Sequence, residues 1–298
     1  MILIAGENVV DLIASDNGLL RPATGGGPAN TAVALAKRGI PTALVGACGK
    51  DAFGDGVWRR HTLCGVDRSW LERSERPSTL ALATVDGEGR ARYDFWTTGT
   101  ADFAWEGKRL PEIDAKRYDV LHFGSLAAYL SPSADVIEDW VNRARRALPI
   151  SFDPNIRLAA MGDVADVRER TERLVGMSHL VRVSDEDIAA LYPDRTVNSV
   201  AEQWLASGPR LVVVTLGEAG CVAVHRDYTL TVAAEEVEVV DTIGAGDAFT
   251  AGLLGWLTTA GWMGLDKLDA WSNREIVGKA LSFATRQASA AVGHAGAP

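Results

Sequence analysis

The chain has 298 residues, 47% hydrophobic and 23% charged, a balance that excludes the disordered and fibrous classes and permits a deep core. A net charge of -9 leaves no basic face for a phosphate backbone and turns attention from nucleic acid to small molecules. Three widely spaced cysteines, Cys48, Cys64 and Cys221, lack a C-x-x-C pair and fit a reducing, cytoplasmic setting, and no apolar run approaches the ~18 residues of a membrane span.

In chain order, Ile2 to Ile4 reads as a strand; with no basic residues ahead of it, and with Gly6-Glu7 and Asp11 breaking the run, it is not a leader peptide. Pro28 to Arg38 has helical spacing, with Pro28 in the first turn and Gly39 placed to end it. Strands at Ala43 to Gly46, Val120 to Phe123, Ile150 to Phe152, Leu180 to Val183 and Leu211 to Thr215 then follow. Between them lie helical patterns at Ser133 to Ala147, Val164 to Met177 and Val200 to Ala206, the last closed by Gly208. This alternation predicts an α/β class with a mainly parallel sheet.

Two stretches do not suit that sheet. Asp11 to Thr24, and Thr79 to Asp102 around an Asp86-Gly87 turn, read as antiparallel strands. With no repeat or linker, the expectation is one domain over 1–298, carrying a discontinuous β lid at about 11–24 and 79–104. Leu211 to Thr215 and Cys221 to Val224 form a hairpin across Gly217-Glu218-Ala219-Gly220. Near the C-terminus, Glu236 to Val240 is a β-branched run, and helices follow at Ala248 to Thr259 and Ile276 to Val292.

Gly244-Ala245-Gly246 therefore falls at a strand-to-helix junction, with Asp247 near the start of the helix. Small residues there let backbone amides converge, and the helix dipole favours an anion at that point. Asp at a first helical turn is also an ordinary helix-start residue, whether or not it does chemistry. Neither a G-x-x-x-x-G-K-[ST] nor a G-x-G-x-x-G run occurs, and the five histidines show no metal spacing.

The nine residues Asp-Thr-Ile-Gly-Ala-Gly-Asp-Ala-Phe from Asp241 resemble the C-terminal signature of the ribokinase-like, or PfkB, carbohydrate kinases. Gly25-Gly26-Gly27-Pro28-Ala29-Asn30 resembles the N-terminal one, and Gly6-Glu7-Asn8-Val9-Val10-Asp11 is similar to the family's opening Gly-Glu-x-x-x-Asp. The resemblance implies a three-layer ribokinase-like fold and ATP-dependent phosphorylation of a small sugar, with Mg²⁺ accompanying ATP. Asp247 would be the general base and Gly244, Ala245 and Gly246 the anion hole. The base would carry a low pKa from the helix start and take its proton late.

By the same resemblance Asp11, Gly25, Gly26 and Asn30 contact the sugar, as does Arg157 in Asp153-Pro154-Asn155-Ile156-Arg157, a run like that of fructokinases and keto-deoxygluconate kinases. Phe95 and Trp96 alternate faces in the lid, so that one of them, Phe95 being the candidate for the sugar, would face the sugar or a partner's lid in a homodimer. On the nucleotide side stand Thr215, Gly217 and Gly220, with Thr285 on the last helix and Ser184 opening Ser184-Asp185-Glu186-Asp187, which falls where the family has Asn-x-x-Glu but differs at both ends. Asp187 would reach Mg²⁺ through water, although Ser184 followed by acidic residues also makes a helix cap. Asp241 is the candidate for a monovalent cation, K⁺, with the chain ending at Gly296-Ala297-Pro298 where the family's cation loop lies. Trp96-Thr97 stands where relatives often carry Tyr-Arg or Phe-Arg, which favours neutral fructose. The alternatives are keto-deoxygluconate, ribose, tagatose or a nucleoside, and outside the class a non-catalytic sugar- or nucleotide-binding regulator.

Overall fold

The computed structural model describes residues 1–14, 18–85, 91–105 and 110–293. The chain opens with β1 (Ile2–Ala5), β2 (Val10–Ala14), β3 (Leu20–Thr24), α1 (Gly27–Lys37), β4 (Thr42–Gly49), α2 (Ala52–Cys64) and β5 (Asp67–Ser74). Next come β6 (Leu80–Val85), β7 (Ala91–Trp96), β8 (Val120–Gly124), α3 (Ser133–Ala144), β9 (Ile150–Asp153), α4 (Leu158–Met161), α5 (Val164–Met177), β10 (Leu180–Ser184), α6 (Asp185–Leu191) and α7 (Val197–Ser207). The last part holds β11 (Leu211–Thr215), β12 (Cys221–His225), β13 (Tyr228–Val232), α8 (Ala245–Thr259) and α9 (Arg274–Val292).

Nine strands form one sheet in the order β13-β12-β11-β10-β9-β8-β1-β4-β5. All neighbours are parallel except β11 with β12 and β12 with β13. The central strands are apolar on both faces because helices cover both. In β1, Ile2 and Ile4 join a core with α1, α2, α8 and α9, whereas Leu3 and Ala5 join the opposite core with α3, α5, α6 and α7. Phe123 and Phe152, on the adjacent strands β8 and β9, stack with ring centroids 4.8 Å apart in that second core.

The segments expected to form a lid make a separate small sheet ordered β3-β2-β6-β7. Its two hairpins are antiparallel as expected, but they are joined to each other by a parallel pairing of β2 with β6. The Asp86-Gly87 turn lies outside the described residues.

Five features depart from the sequence expectation. α2 went unread because its two glycines, Gly54 and Gly56, weaken the pattern and only Gly54, Val57 and His61 are buried; Asp51 caps its start by accepting from Gly54 N at 2.8 Å. β5 is a polar edge strand whose pattern resembles a loop, and β13 alternates half-buried with exposed residues. Glu236 to Val240 is not a strand: Val239 and Val240 stay exposed with no sheet neighbour, and β-branching alone does not make a strand. Gly208 follows α7 with φ 156 and ψ -38, a positive-φ conformation outside the left-handed helical well, whereas Gly39 has the left-handed φ 73 foreseen for a helix end.

Candidate active site

Residues 241–244 lead into α8, whose N-cap Gly244 has φ 80 and whose start no side chain caps. The Ala245 amide donates to the Thr242 carbonyl at 3.2 Å, so it serves the turn within the predicted anion hole. Gly246 is a glycine for a packing reason as well. A Cβ there would sit 2.9 Å from a guanidinium nitrogen of Arg182, which rises from β10 beneath the helix start. Arg182 is buried, pairs with Asp153 Oδ2 at 3.0 Å, donates to Thr215 Oγ1 at 2.7 Å and lies over the Phe249 ring. Asp153 Oδ2 also lies 3.3 Å from Thr250 Oγ1, one turn into α8.

Asp247 sits on the first turn of α8 and accepts a hydrogen bond at Oδ2 from Asn30 Nδ2 at 2.8 Å. Burial pushes its carboxyl up to about 7, with the Asn30 hydrogen bond opposing, the negative charge of Asp153 adding, and Arg182 and Arg157 opposing. The low value expected from a helix start gives way to a raised one, because loss of hydration is the largest influence on this carboxyl.

The Gly-rich turn before α1 stands against this carboxyl. Gly25 approaches Asp11 so closely that a Cβ would fall 2.2 Å from Oδ2, and Gly26 takes φ 97. A Cβ on Gly27 would lie 3.3 Å from Asp247 Oδ1 and 2.7 Å from Asn155 Nδ2. Burial raises Asp11 to about 6, against the charges of Arg157 and Arg60. Arg157 is exposed at the start of α4, and its charge is felt at Asp11, Asp187 and Asp247. Asp11, Gly25, Gly26, Asn30, Arg157 and Asp247 therefore converge. They do so where β1, β8 and β9 end, the place at which chain order along the sheet reverses and ligands of open α/β sheets bind.

Phe95 on β7 packs partly buried against the core side of the lid, whereas Trp96 is 52% exposed. On the nucleotide side Thr215 ends β11, and Gly217–Ala219 is a short 3₁₀ turn in which Leu216 N donates to Gly220 O at 2.8 Å. Thr285 is buried under that turn, 3.9 Å from Cys221 Sγ, and its hydroxyl donates to Leu281 O at 2.8 Å within α9. Asp241 Oδ1 accepts from Ile243 N at 2.9 Å and helps shape the loop before α8.

Ser184 and Asp187 make a capping box on α6. Ser184 Oγ accepts from Asp187 N at 3.0 Å, and Asp187 accepts from Ile156 N at 2.8 Å through Oδ1 and Ser184 N at 3.3 Å through Oδ2. Both of its oxygens are thus engaged in a buried carboxylate, so it does not fit direct metal ligation. Among the described residues no group of three His, Cys, Asp or Glu could hold a metal ion. Arg182, Asp153, Arg60 and Asn155 also border this cluster and had no role in the sequence reading: the two arginines gain their meaning only from neighbours on other elements, and of the run from Asp153 to Arg157 only Arg157 was singled out.

The chain matches the family model described as pfkB family carbohydrate kinase over residues 14–298. It belongs to the pfkB carbohydrate kinases. Among the relatives of this pfkB kinase, a fructokinase of Rhizobium leguminosarum bv. trifolii is 35% identical over 258 residues, 85% of this chain and 78% of that one. A fructokinase of Klebsiella pneumoniae is 34% identical over 266 residues, 87% of this chain and 85% of the other. The fold superposes on a Xylella fastidiosa fructokinase with bound ATP at TM-score 0.92, 26% identity, covering 99% and 93% of the two chains. A Vibrio cholerae O395 fructokinase in fructose, ADP and calcium ion bound form gives TM-score 0.86 at 26% identity, covering 99% and 94%. The ribokinase-like α/β fold with its separate small sheet is therefore that of the family.

Proposed function

We propose that this kinase transfers the γ-phosphoryl group of ATP to fructose, giving fructose 6-phosphate, with Asp247 as general base. The carrying observation is the juxtaposition of the Asp247 carboxyl with Asn30, Asp11 and the bare backbone of Gly25 to Gly27 at the uncapped start of α8. Fructokinase relatives at 34–35% identity support the sugar.

In this reading Asp11, Gly25, Gly26 and Asn30 hold sugar hydroxyls while Arg157 and Phe95 border the sugar. Asp247 Oδ1 then takes the proton from the attacking hydroxyl as it bonds to phosphorus. A carboxyl raised toward neutrality suits that task better than a strongly acidic one. The first-turn amides of α8, backed by buried Arg182, stabilise the charge on the transferring group. Thr215, Gly217, Gly220 and Thr285 line the nucleotide side, with Ser184 between the two. Mg²⁺ enters with ATP and would be held chiefly by phosphate oxygens and water, with Asp187 no nearer than a water-mediated position. Asp241 remains the candidate for K⁺; residues 294–298, where the cation loop is expected, lie outside the described residues. A homodimer through the lid and a cytoplasmic setting belong to the same reading; among the described residues no helix is long and apolar enough to cross a membrane.

A second reading is favoured by one observation. Arg60 and Arg157 both place positive charge near Asp11, which suits an acidic sugar such as keto-deoxygluconate. ADP release across fructose, keto-deoxygluconate, ribose, tagatose and nucleosides, with and without K⁺, separates the readings; fructose is expected to be fastest. The Asp247→Asn variant should keep ATP binding and lose at least ~10²-fold in turnover. Near-normal turnover would remove Asp247 from the base role and reopen the non-catalytic regulator.

A further inference from the structure

A chain of hydrogen bonds runs from α2 through α1 to Asp247. Arg60 donates through Nη1 to the Thr24 carbonyl at 3.1 Å and through Nη2 to Asn30 Oδ1 at 2.9 Å. The Asn30 amide nitrogen donates in turn to Asp247 Oδ2 at 2.8 Å. A guanidinium only donates and an ionised carboxylate only accepts, so an amide between them has one arrangement: oxygen toward Arg60, nitrogen toward Asp247. Flipped, it would set its NH₂ against the guanidinium and its carbonyl against the carboxylate.

The second carboxylate oxygen is left for chemistry. Oδ1 faces the place where Gly27 lacks a side chain; a Cβ there would start 3.3 Å from Oδ1 and 2.7 Å from Asn155 Nδ2. A side chain at position 27 would crowd Oδ1 and the Asn155 amide, so the glycine keeps α1 off that oxygen.

We propose that Arg60 is a positioning residue for phosphoryl transfer: it locks the Asn30 amide, which holds Asp247 by Oδ2 and presents Oδ1 as the proton acceptor. The relay spans three elements, α2, α1 and α8. It rests on Asp247 being the base.

The test is a double-mutant cycle on the full chain with fructose and ATP, using Arg60→Met, Asn30→Ala and both together. Arg60→Met is expected to lower kcat about tenfold, the scale of one charge-assisted hydrogen bond, and to leave the KM for ATP within about twofold. With Asn30 already Ala, Arg60→Met should lower kcat no further. The acidic limb of the kcat profile should move to higher pH in Arg60→Met, because the relay favours the ionised carboxylate. Asp153 on β9, Arg182 on β10, Arg157 before α4 and Asp11 on β2 face the same site and are unchanged throughout the cycle. Arg60→Lys, which keeps the charge and a donor, should restore part of both effects.

Additive losses in the cycle, or a lower kcat with an unmoved acidic limb, would overturn the proposal. If Arg60→Met does not fold, Arg60→Lys takes its place in the cycle under the same criterion. Asp247→Asn separates the layers. If it is inactive while the cycle is additive, only the relay fails; if it is active, the base assignment fails first.

Discussion

At Asp247 two effects of opposite sign meet. The helix start favours the charged carboxylate, whereas burial and the nearby Asp153 charge disfavour it, and burial dominates, setting the group at about 7. A general base must be ionised, so kcat/KM should fall as pH drops through about 7, with unit slope on the acid side. A pH–rate profile with its acidic limb near 4 would show that the dipole wins instead. Gly246 offers a second check. Its Cβ would meet Arg182, which cannot retreat because Asp153 and Thr215 hold it. Gly246→Ala is expected to cost about 1–3 kcal/mol in a denaturant titration, the scale of overpacking, and to lower kcat as well. The sequence displayed Asp247, Asn30 and the glycines because contiguous motifs carry them. It could not display Arg182 or Arg60, because a lone arginine in a strand or helix has no legible partner until the topology sets another element beside it; Asp153 stood in a legible run, but its pairing with Arg182 did not show.

Among the elements, the lid is tied to the core at one buried carboxyl. Asp102 accepts from Asn8 N at 2.6 Å, where the chain enters β2, and lies 2.6 Å from Thr79 Oγ1, where it enters β6. Asn8 also bonds His61 on α2 at 2.8 Å through its side-chain oxygen. Burial, with the neighbouring Glu7 charge adding, pushes Asp102 up to about 7 against the hydrogen bonds from Thr79 and Asn8. The folded protein thus holds a proton that the unfolded chain has released. The resulting stabilisation is complete below about pH 4 and is lost as pH rises through about 7. Asp102→Asn can accept from Asn8 and donate to Thr79, so it imitates the protonated form. Chemical denaturation at roughly pH 5 and pH 8 should show a smaller stability difference for it than for the parent; an unchanged difference would place the pH dependence elsewhere. Strand periodicity revealed the lid's hairpins, since β-rich runs and turn signals are local. It missed α2 and Asp102, whose roles depend on contacts between distant segments, and it made a strand of Glu236 to Val240, which finds no sheet neighbour.

At the scale of the molecule, the parallel sheet was legible because βα alternation leaves few topologies open. The join between the lid's hairpins was not, because register between separated strands is written in no local pattern. The lid presents Trp96, 52% exposed, and Leu20, 49% exposed, to its surroundings. If this surface meets a second copy, sedimentation velocity should give a dimer, and Trp96→Glu should shift it to monomer; a monomeric parent would remove the lid from assembly.

The pairing of β2 with β6 bears on how the molecule forms. Val10 lies opposite Leu80, so this ladder closes a loop of roughly seventy residues containing α1, β4, α2 and β5. Most of those intervening residues must find their places before the ladder can zip, and closing so long a loop is favourable only once they have. The part of the protein that would cover the substrate is therefore expected to be the last to assemble and, when stability is lowered, the first to open.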